Sequence, residues 1–341
     1  MTLPVESRVD SLRNSFGFSE FFYVKNRPTV ADFFKRGEHP GLYILAFADG
    51  AYYAGRTKDL KQRFVAHHRT HGDIEYFAFK PLSIPKQSHE EQALIQQLEA
   101  TGVTLRNIEH MSWPASAADF DAVVPQPDQD NFLSGQDIQD QSARIVDPNQ
   151  RARYERSHAT IAEKSFYGEL VNFLRTYVSL AIPAPRATEM SFWALTVWPS
   201  PSAYVSRRQN REWARINLAT CEVLTVGHRC TKPSAPIDAD VPFVAFHVAR
   251  SPIAPDEDAA FAELSKIAPS VIDAERKYDV LGGDQIGFLV FGLEEAQRLL
   301  EDPRVIGAAR RANIAMMRKR ACFYARYHCP QLADDILETP V

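Results

Sequence analysis

Cysteine is scarce in this chain: four in 341 residues (Cys221, Cys230, Cys322 and Cys329), with no CxxC pair. That excludes a disulfide-stapled scaffold and leaves reduced thiols as the simplest expectation. His228 and His328 lie near these cysteines, but the spacing matches neither a zinc finger nor a zinc knuckle. No apolar run reaches the roughly eighteen residues of a membrane span. Met1 to Asp10 has no basic stretch followed by an apolar one, so no secretory leader is expected and a cytoplasmic location is the reading. Positive charge is not in excess either: 39 Lys and Arg face 43 Asp and Glu, a formal charge of −4. A surface coated in cations is thereby excluded, and any groove for nucleic acid must be local. There is no internal repeat and no low-complexity tract. What remains is globular material, 45% hydrophobic and long enough for two or three cores.

Composition divides the chain. Residues 1–40 read as an N-terminal helical extension, with Thr29 placed to cap a short helix through Ala31, Phe34 and Lys35 before Gly37 and Pro40. Residues 41–112 are dense and regular. Residues 113–149 turn acidic: Asp119, Asp121, Asp128, Asp130, Asp137, Asp140 and Asp147 face only Arg144, which predicts a linker. Residues 150–341 become globular again. Leu170, Phe173, Leu174 and Tyr177 make a helical stripe. Strand-like runs follow at 191–198, 215–226, 241–249 and 286–293, with helical stretches at 261–267, 272–278, 294–300 and 305–327. The fold class expected is α+β throughout, as two separate domains.

The chemistry concentrates between Gly41 and Asn107. Leu42 to Phe47 is a β-rich run, Asp49-Gly50 is a hairpin turn, and Ala51 to Ala54 starts the return strand. Gly55 then allows close backbone approach. Thr57 and Asp59 are helix-start residues, and Leu60 and Phe64 supply that helix's apolar face. Arg63 and His67 stand one turn apart on the same side, toward the hairpin. A third strand is expected at Ile74 to Phe79. Beyond Pro81 and Pro85, Ser88-His89-Glu90-Glu91 has the form of a capping box that opens a second helix. Glu91, Leu94, Ile95 and Leu98 share that helix's inward face, where a carboxylate is costly unless something positive meets it.

Tyr43, Tyr53, Arg63, His67 and Glu91 therefore share one meeting place. A phenol, a guanidinium, an imidazole and a carboxylate facing one cleft are the parts of a phosphodiester hydrolase. The carboxylate holds a divalent metal, metal and arginine neutralise charge growing on the phosphate, and phenol or imidazole handles the water's proton. Each part also has an ordinary reading: cross-strand packing for the tyrosines, a solvated helix residue for Arg63, a helix cap for Glu91.

The triplets "GLY" (41–43) and "YAG" (53–55), with Arg63, His67, Glu91 and Asn107 following in order, resemble the GIY-YIG nuclease family. The resemblance covers about residues 41–110. It implies a small antiparallel sheet flanked by helices, and a metal-dependent endonuclease using one Mg²⁺ or Mn²⁺ held by Glu91. It further implies that Tyr43 orients or deprotonates the attacking water and that Tyr53 supports the metal-bound water and phosphate. Arg63 would stabilise the transition state, His67 would contact phosphate or share in proton transfer, and Asn107 would hold the site together. A phenol is a weak base, so Arg63, the metal and Arg56 would be needed to lower its pKa.

Residues 150–341 resemble no family. Arg151, Arg153, Arg156, Arg207, Arg208, Arg211 and Arg215, interleaved with Tyr154, Tyr204 and Trp213, suit a nucleic-acid surface or a plain solvated one. Arg310, Arg311, Arg318, Lys319 and Arg320 would face DNA or water. The acidic-x-Lys fragment in Asp273 to Lys277 is too short to count. The partner expected is nucleic acid, double-stranded DNA first, with no membrane; a homodimer is compatible with this. Arg56, Arg207, Arg208 and Arg211 are the expected nucleic-acid contacts. The alternative is a nucleic-acid-binding or regulatory protein that keeps the fold with little cleavage.

Overall fold

The computed structural model of the chain describes residues 6–34, 39–107, 118–144, 147–198, 210–229, 241–274 and 279–338. Two compact units divide it, Met1–Ser116 and Ala117–Val341. Each is mixed α and β, and among the described residues no helix is long and apolar enough to cross a membrane.

In the first unit, strand β2 (Gly41–Phe47) turns back into β3 (Tyr52–Thr57). The turn works because Gly50 takes φ +82 and the Asp49 carboxylate accepts from the Ala51 N–H at 2.9 Å. On its other side β2 pairs with β4 (Ile74–Pro81), and β4 with the short β1 (Phe22–Tyr23). The antiparallel order is β1-β4-β2-β3.

Alternation along β2 sends Leu42, Ile44 and Ala46 to one face, where they pack with Val9 of α1 (Ser7–Ser15) and Leu94, Ile95 and Leu98 of α3 (Ile84–Ala100). Tyr43, Leu45 and Phe47 go to the other face, with Leu60 and Phe64 of α2 (Leu60–Thr70). Because both faces are covered, every β2 residue is buried.

The N-terminal segment is therefore part of this unit. It supplies α1 to one core and β1 to the sheet. The helix expected after Thr29 is only a 3-10 turn, Ala31–Phe33, with the Thr29 hydroxyl accepting from the Ala31 N–H at 3.1 Å. Lys35 and Gly37 lie outside the described residues.

The capping box is also corrected. α3 begins four residues before Ser88, with Ser83 at its N-cap and Pro85 in its first turn. Proline fits there because the first N–H groups of a helix have no intrahelical partner. Ser88 and Glu91 are helix-interior residues, so Glu91 is not a cap.

The second unit is built on a six-stranded antiparallel sheet. Its strands are β5 (Trp193–Val197), β6 (Asn210–Leu218), β7 (Cys221–Arg229), β8 (Val241–Ala249), β9 (Ile272–Asp273) and β10 (Gln285–Phe291), in the order β5-β6-β7-β8-β10-β9. The run expected as one strand at 215–226 is two, split at Ala219, which takes φ +49. The helix expected at 272–278 begins instead as β9, with residues 275–278 outside the description.

Helices α4 (Gln126–Leu133), α5 (Pro148–Ala162), α6 (Tyr167–Ala181), α7 (Pro185–Thr188), α8 (Glu257–Ile267), α9 (Leu293–Glu301), α10 (Pro303–Lys319) and α11 (Pro330–Leu337) complete the unit. α10 stops at Lys319, eight residues short of the expected end.

The acidic stretch is no linker where it is described. Phe120 and Phe132 are buried, and Asp121 and Gln129 take the guanidinium of Arg318 from α10. Buried Arg310 donates to the Phe132 and Leu180 carbonyls. Those two arginines thus face protein, neither DNA nor water. One aspartate of a run that looks solvated in sequence, Asp121, is answered by a basic residue 197 positions away.

Candidate active site

Four of the expected residues meet on the α2 face of the first sheet. In the β2–β3 register Tyr43 lies opposite Gly55, and Leu45 opposite Tyr53. The two phenol rings are therefore diagonal neighbours, 6.2 Å apart and nearly parallel. Gly55 is needed at this place: a Cβ there would stand 2.4 Å from the Tyr43 hydroxyl and 2.9 Å from the Tyr53 ring. α2 starts where the Asp59 side chain accepts from the Lys61 N–H at 3.1 Å, and the helix then carries Arg63 and His67 over the rings.

The polar atoms form one connected line. Arg63 Nε donates to the Tyr43 hydroxyl at 3.0 Å, and that hydroxyl lies 2.7 Å from His67 Nε2. The Tyr53 ring is 4.8 Å from the His67 ring. Tyr43 is fully buried and His67 nearly so, while Arg63 is exposed at the outer end.

Burial decides the protonation states. It pushes the Tyr43 phenol well above its ordinary value. The neighbouring Tyr53 adds to this, and Arg63 pulls the other way without winning. The expectation that nearby cations lower this phenol is thus not met by the arginine. Burial, then the positive charges of Arg63 and His71, holds His67 down at about 4. At neutral pH Tyr43 is a phenol and His67 an uncharged imidazole.

Glu91 comes to the site from the other side. Its carboxylate pairs with Arg56 Nε at 2.9 Å, with 13% of the glutamate side chain and 48% of the arginine side chain exposed. Arg56 follows Gly55 at the end of β3, and the Glu91 charge is still felt at the Tyr43 hydroxyl. The expected DNA contact at Arg56 is thus engaged within the chain.

Asn107 does not face the cluster. Buried, it donates to the Ala54 carbonyl at 2.7 Å and accepts from the Ala54 N–H at 2.9 Å. It thereby caps the edge of β3 beside Gly55 and fixes the strand that carries the site.

Two contributors escape a reading by residue type. His71, with no partner evident in sequence, stacks on His67 at 5.9 Å and packs on Phe47. Its signal was the i, i+4 step from His67. Gln87, buried, donates to the Thr57 and Leu82 carbonyls and ties α3 to the end of β3.

Among the described residues no group of three or more His, Cys, Asp or Glu is arranged to hold an ion. A single carboxylate such as Glu91 fits a largely hydrated Mg²⁺ or Mn²⁺ that shares its ligands with a phosphate, and does not fit a closed protein cage.

Among the described residues, several members of the basic cluster expected in the second unit are engaged within the chain. Arg215 is buried between Glu212 and Glu222. Trp213 is buried too, stacked on Phe166 at 3.7 Å and donating to His228 Nδ1 at 2.6 Å. Arg151 pairs with Asp334. Arg211 is exposed on β6, while Arg207, Arg208 and Tyr204 lie outside the described residues. Compared with known proteins, the chain matches no family model, no curated protein and no solved structure.

Proposed function

We propose that the first unit is a metal-assisted phosphodiester hydrolase of GIY-YIG type, an endonuclease acting on nucleic acid, with DNA the first substrate to test. What carries this reading is the line Arg63–Tyr43–His67, set where Gly55 lets both tyrosine rings pack against the backbone and within electrostatic reach of Glu91. An arginine held by a phenol keeps most of its guanidinium for a phosphate, where a preorganised positive charge lowers the barrier as negative charge grows.

Tyr43, a phenol at neutral pH, positions the attacking water through its oxygen. As the water loses its proton to that oxygen, the phenol proton passes 2.7 Å to His67 Nε2, which is neutral and able to accept it. Glu91 would hold Mg²⁺ or Mn²⁺ once Arg56 swings to the phosphate. When bound, the metal supplies charge neutralisation and a more acidic water.

The test is incubation of the purified chain with supercoiled plasmid, linear duplex and single strands, with Mg²⁺, Mn²⁺ or chelator. Metal-dependent cutting lost in Arg63→Ala is the expected result, and equal cutting with chelator would overturn it. The Arg56–Glu91 pair favours a second reading, a nucleic-acid-binding platform whose carboxylate is closed by its own arginine. Under that reading, oligonucleotides bind but no strand is cut.

A further inference from the structure

The second unit carries an exposed aromatic patch on the segment that follows α10. Phe323 is 63% exposed and Tyr327 41%, which is unusual for such large rings. Tyr324 stands edge-on to Phe323 at 5.6 Å and lies 6.5 Å from Tyr327. The Arg326 guanidinium sits over both exposed rings, 4.7 Å from Tyr327 and 5.9 Å from Phe323. Tyr154 of α5 joins them, its hydroxyl donating to the Arg326 carbonyl at 3.3 Å, beside exposed Arg153.

The platform is anchored at both ends. Its backbone is fixed by Cys322 N–H to the Ser191 carbonyl at 2.8 Å and Phe323 N–H to the Ala219 carbonyl at 2.8 Å. At its far end Cys329 N–H donates to the Leu195 carbonyl at 2.7 Å. The segment that carries the rings is thus tied to β5 and to the turns at Ser191 and Ala219.

We infer that this patch, Phe323, Tyr324, Tyr327 and Tyr154 with Arg326 and Arg153, is a stacking platform for unpaired nucleotides. The ligand class is single-stranded nucleic acid, or the unpaired part of a duplex with a flap, bubble or end. Flat rings offer faces to bases of any sequence, and a guanidinium among them serves base face and phosphate alike. Among the described residues no carboxylate pairs with Arg326, so its charge is left for an anion. Tyrosine and arginine also recur at protein interfaces, so what favours a polyanion here is the unanswered charge of Arg326 beside exposed Arg153. A duplex keeps its bases stacked inward and could offer the rings only its phosphates. This inference rests on the reading that the chain acts on nucleic acid, and it narrows the substrate to structures with exposed bases.

The experiment is fluorescence anisotropy with the full chain, in chelator so that nothing is cut, using a labelled oligo-dT and a blunt duplex of equal length. Phe323→Ala should weaken the single strand roughly five- to hundredfold and leave the duplex nearly unmoved, while Phe323→Trp binds at least as well as the parent. Arg326→Ala should weaken it and make the salt slope shallower by about 0.7. Parent-like oligo-dT binding by Phe323→Ala overturns the inference, as does an equal loss for duplex. So does a change of oligomeric state in Phe323→Ala with oligonucleotide binding intact, which would make the patch an interface between copies. Phe323-dependent binding by a chain that cuts nothing supports the platform and sinks the hydrolase. Cutting without Phe323-dependent binding does the reverse.

Discussion

Arg63 of the first unit and Arg215 of the other unit have similar settings in sequence, each in a short stretch rich in cations and rings. In the structure they are opposites. Arg215 is 8% exposed and held between two buried carboxylates, Glu212 and Glu222. Arg63 lies at the surface, held by tyrosine hydroxyl and, among the described residues, by no carboxylate. Arg215 has its charge answered from within, whereas Arg63 presents a positive charge on a fixed stem. An arginine becomes a candidate for function through what it leaves unanswered, and its neighbours in sequence do not reveal that.

The largest effect that would test this contrast belongs to Arg215→Ala. Removing the cation strands Glu212 and Glu222 in a buried place, which typically costs about 3–5 kcal/mol. Chemical denaturation should show the second unit's transition moving by that amount and the first unit's staying put. A loss under about 1 kcal/mol would make Arg215 an ordinary surface residue and erase the contrast.

Arg63→Ala should do the reverse: cutting falls roughly a hundred- to thousandfold, while stability stays within about 0.5 kcal/mol of the parent. Arg63→Lys should fail too, because a point charge does not reproduce the planar fork that rests on Tyr43. Glu91→Gln belongs with it. In the Arg56 pair it breaks the arginine is half open to water, which limits what the pair contributes, yet cutting and any Mn²⁺-induced rise in Tm should both disappear. Single-turnover rates and melts with and without Mn²⁺ read all three variants. A Glu91→Gln protein that still cuts would return the carboxylate to a purely structural role.

A smaller effect concerns the middle of the line. His67 is held at about 4 in the folded chain, against an ordinary value of 6.5. Between those values the unfolded chain binds a proton that the folded chain refuses. Stability is therefore greatest above about pH 6.5, falls as pH drops toward 4, and levels off below that. The loss is on the order of 3 kcal/mol, to which His71, shifted in the same direction, adds. His67→Gln should flatten most of that slope in denaturation curves taken between pH 7 and 4.5. An unchanged slope would mean that the imidazole protonates with an ordinary pKa and that its burial beside Tyr43 does not hold it neutral.

Much of the first unit was legible because its signals are local. Asp49-Gly50 can hardly be anything but a turn, Asp59 caps the helix it precedes, and period-two alternation sends Tyr43 and Leu42 to opposite faces. The site is carried by those same elements, so its members could be named from spacing. What was not legible depends on distant partners. Asp121 and Arg318 meet across 197 positions, and nothing near either announces it. The hairpin at Ala219 has no glycine or asparagine to mark it, so two strands read as one. Arg56 looks like a DNA contact until Glu91, on another element, is placed beside it.

Ser88 offers the smallest effect and the clearest sign. Read as a helix cap, its hydroxyl satisfies an orphan N–H, and Ser88→Ala should cost about 1 kcal/mol. The structure puts Ser88 inside α3 on an exposed position, four residues past the first, where the N–H groups already have helical partners. There serine is only a weaker helix former than alanine, so Ser88→Ala should stabilise the first unit by about 0.5 kcal/mol. Ser83→Ala at the true N-cap should change little, since the Ser83 side chain makes no capping hydrogen bond. Denaturant titration of the parent and both variants resolves differences of this size when they are compared at a common midpoint. If Ser88→Ala is instead destabilising by a full kcal/mol, α3 begins at Ser88, Glu91 becomes a capping glutamate, and the carboxylate proposed to hold the metal has a structural occupation after all.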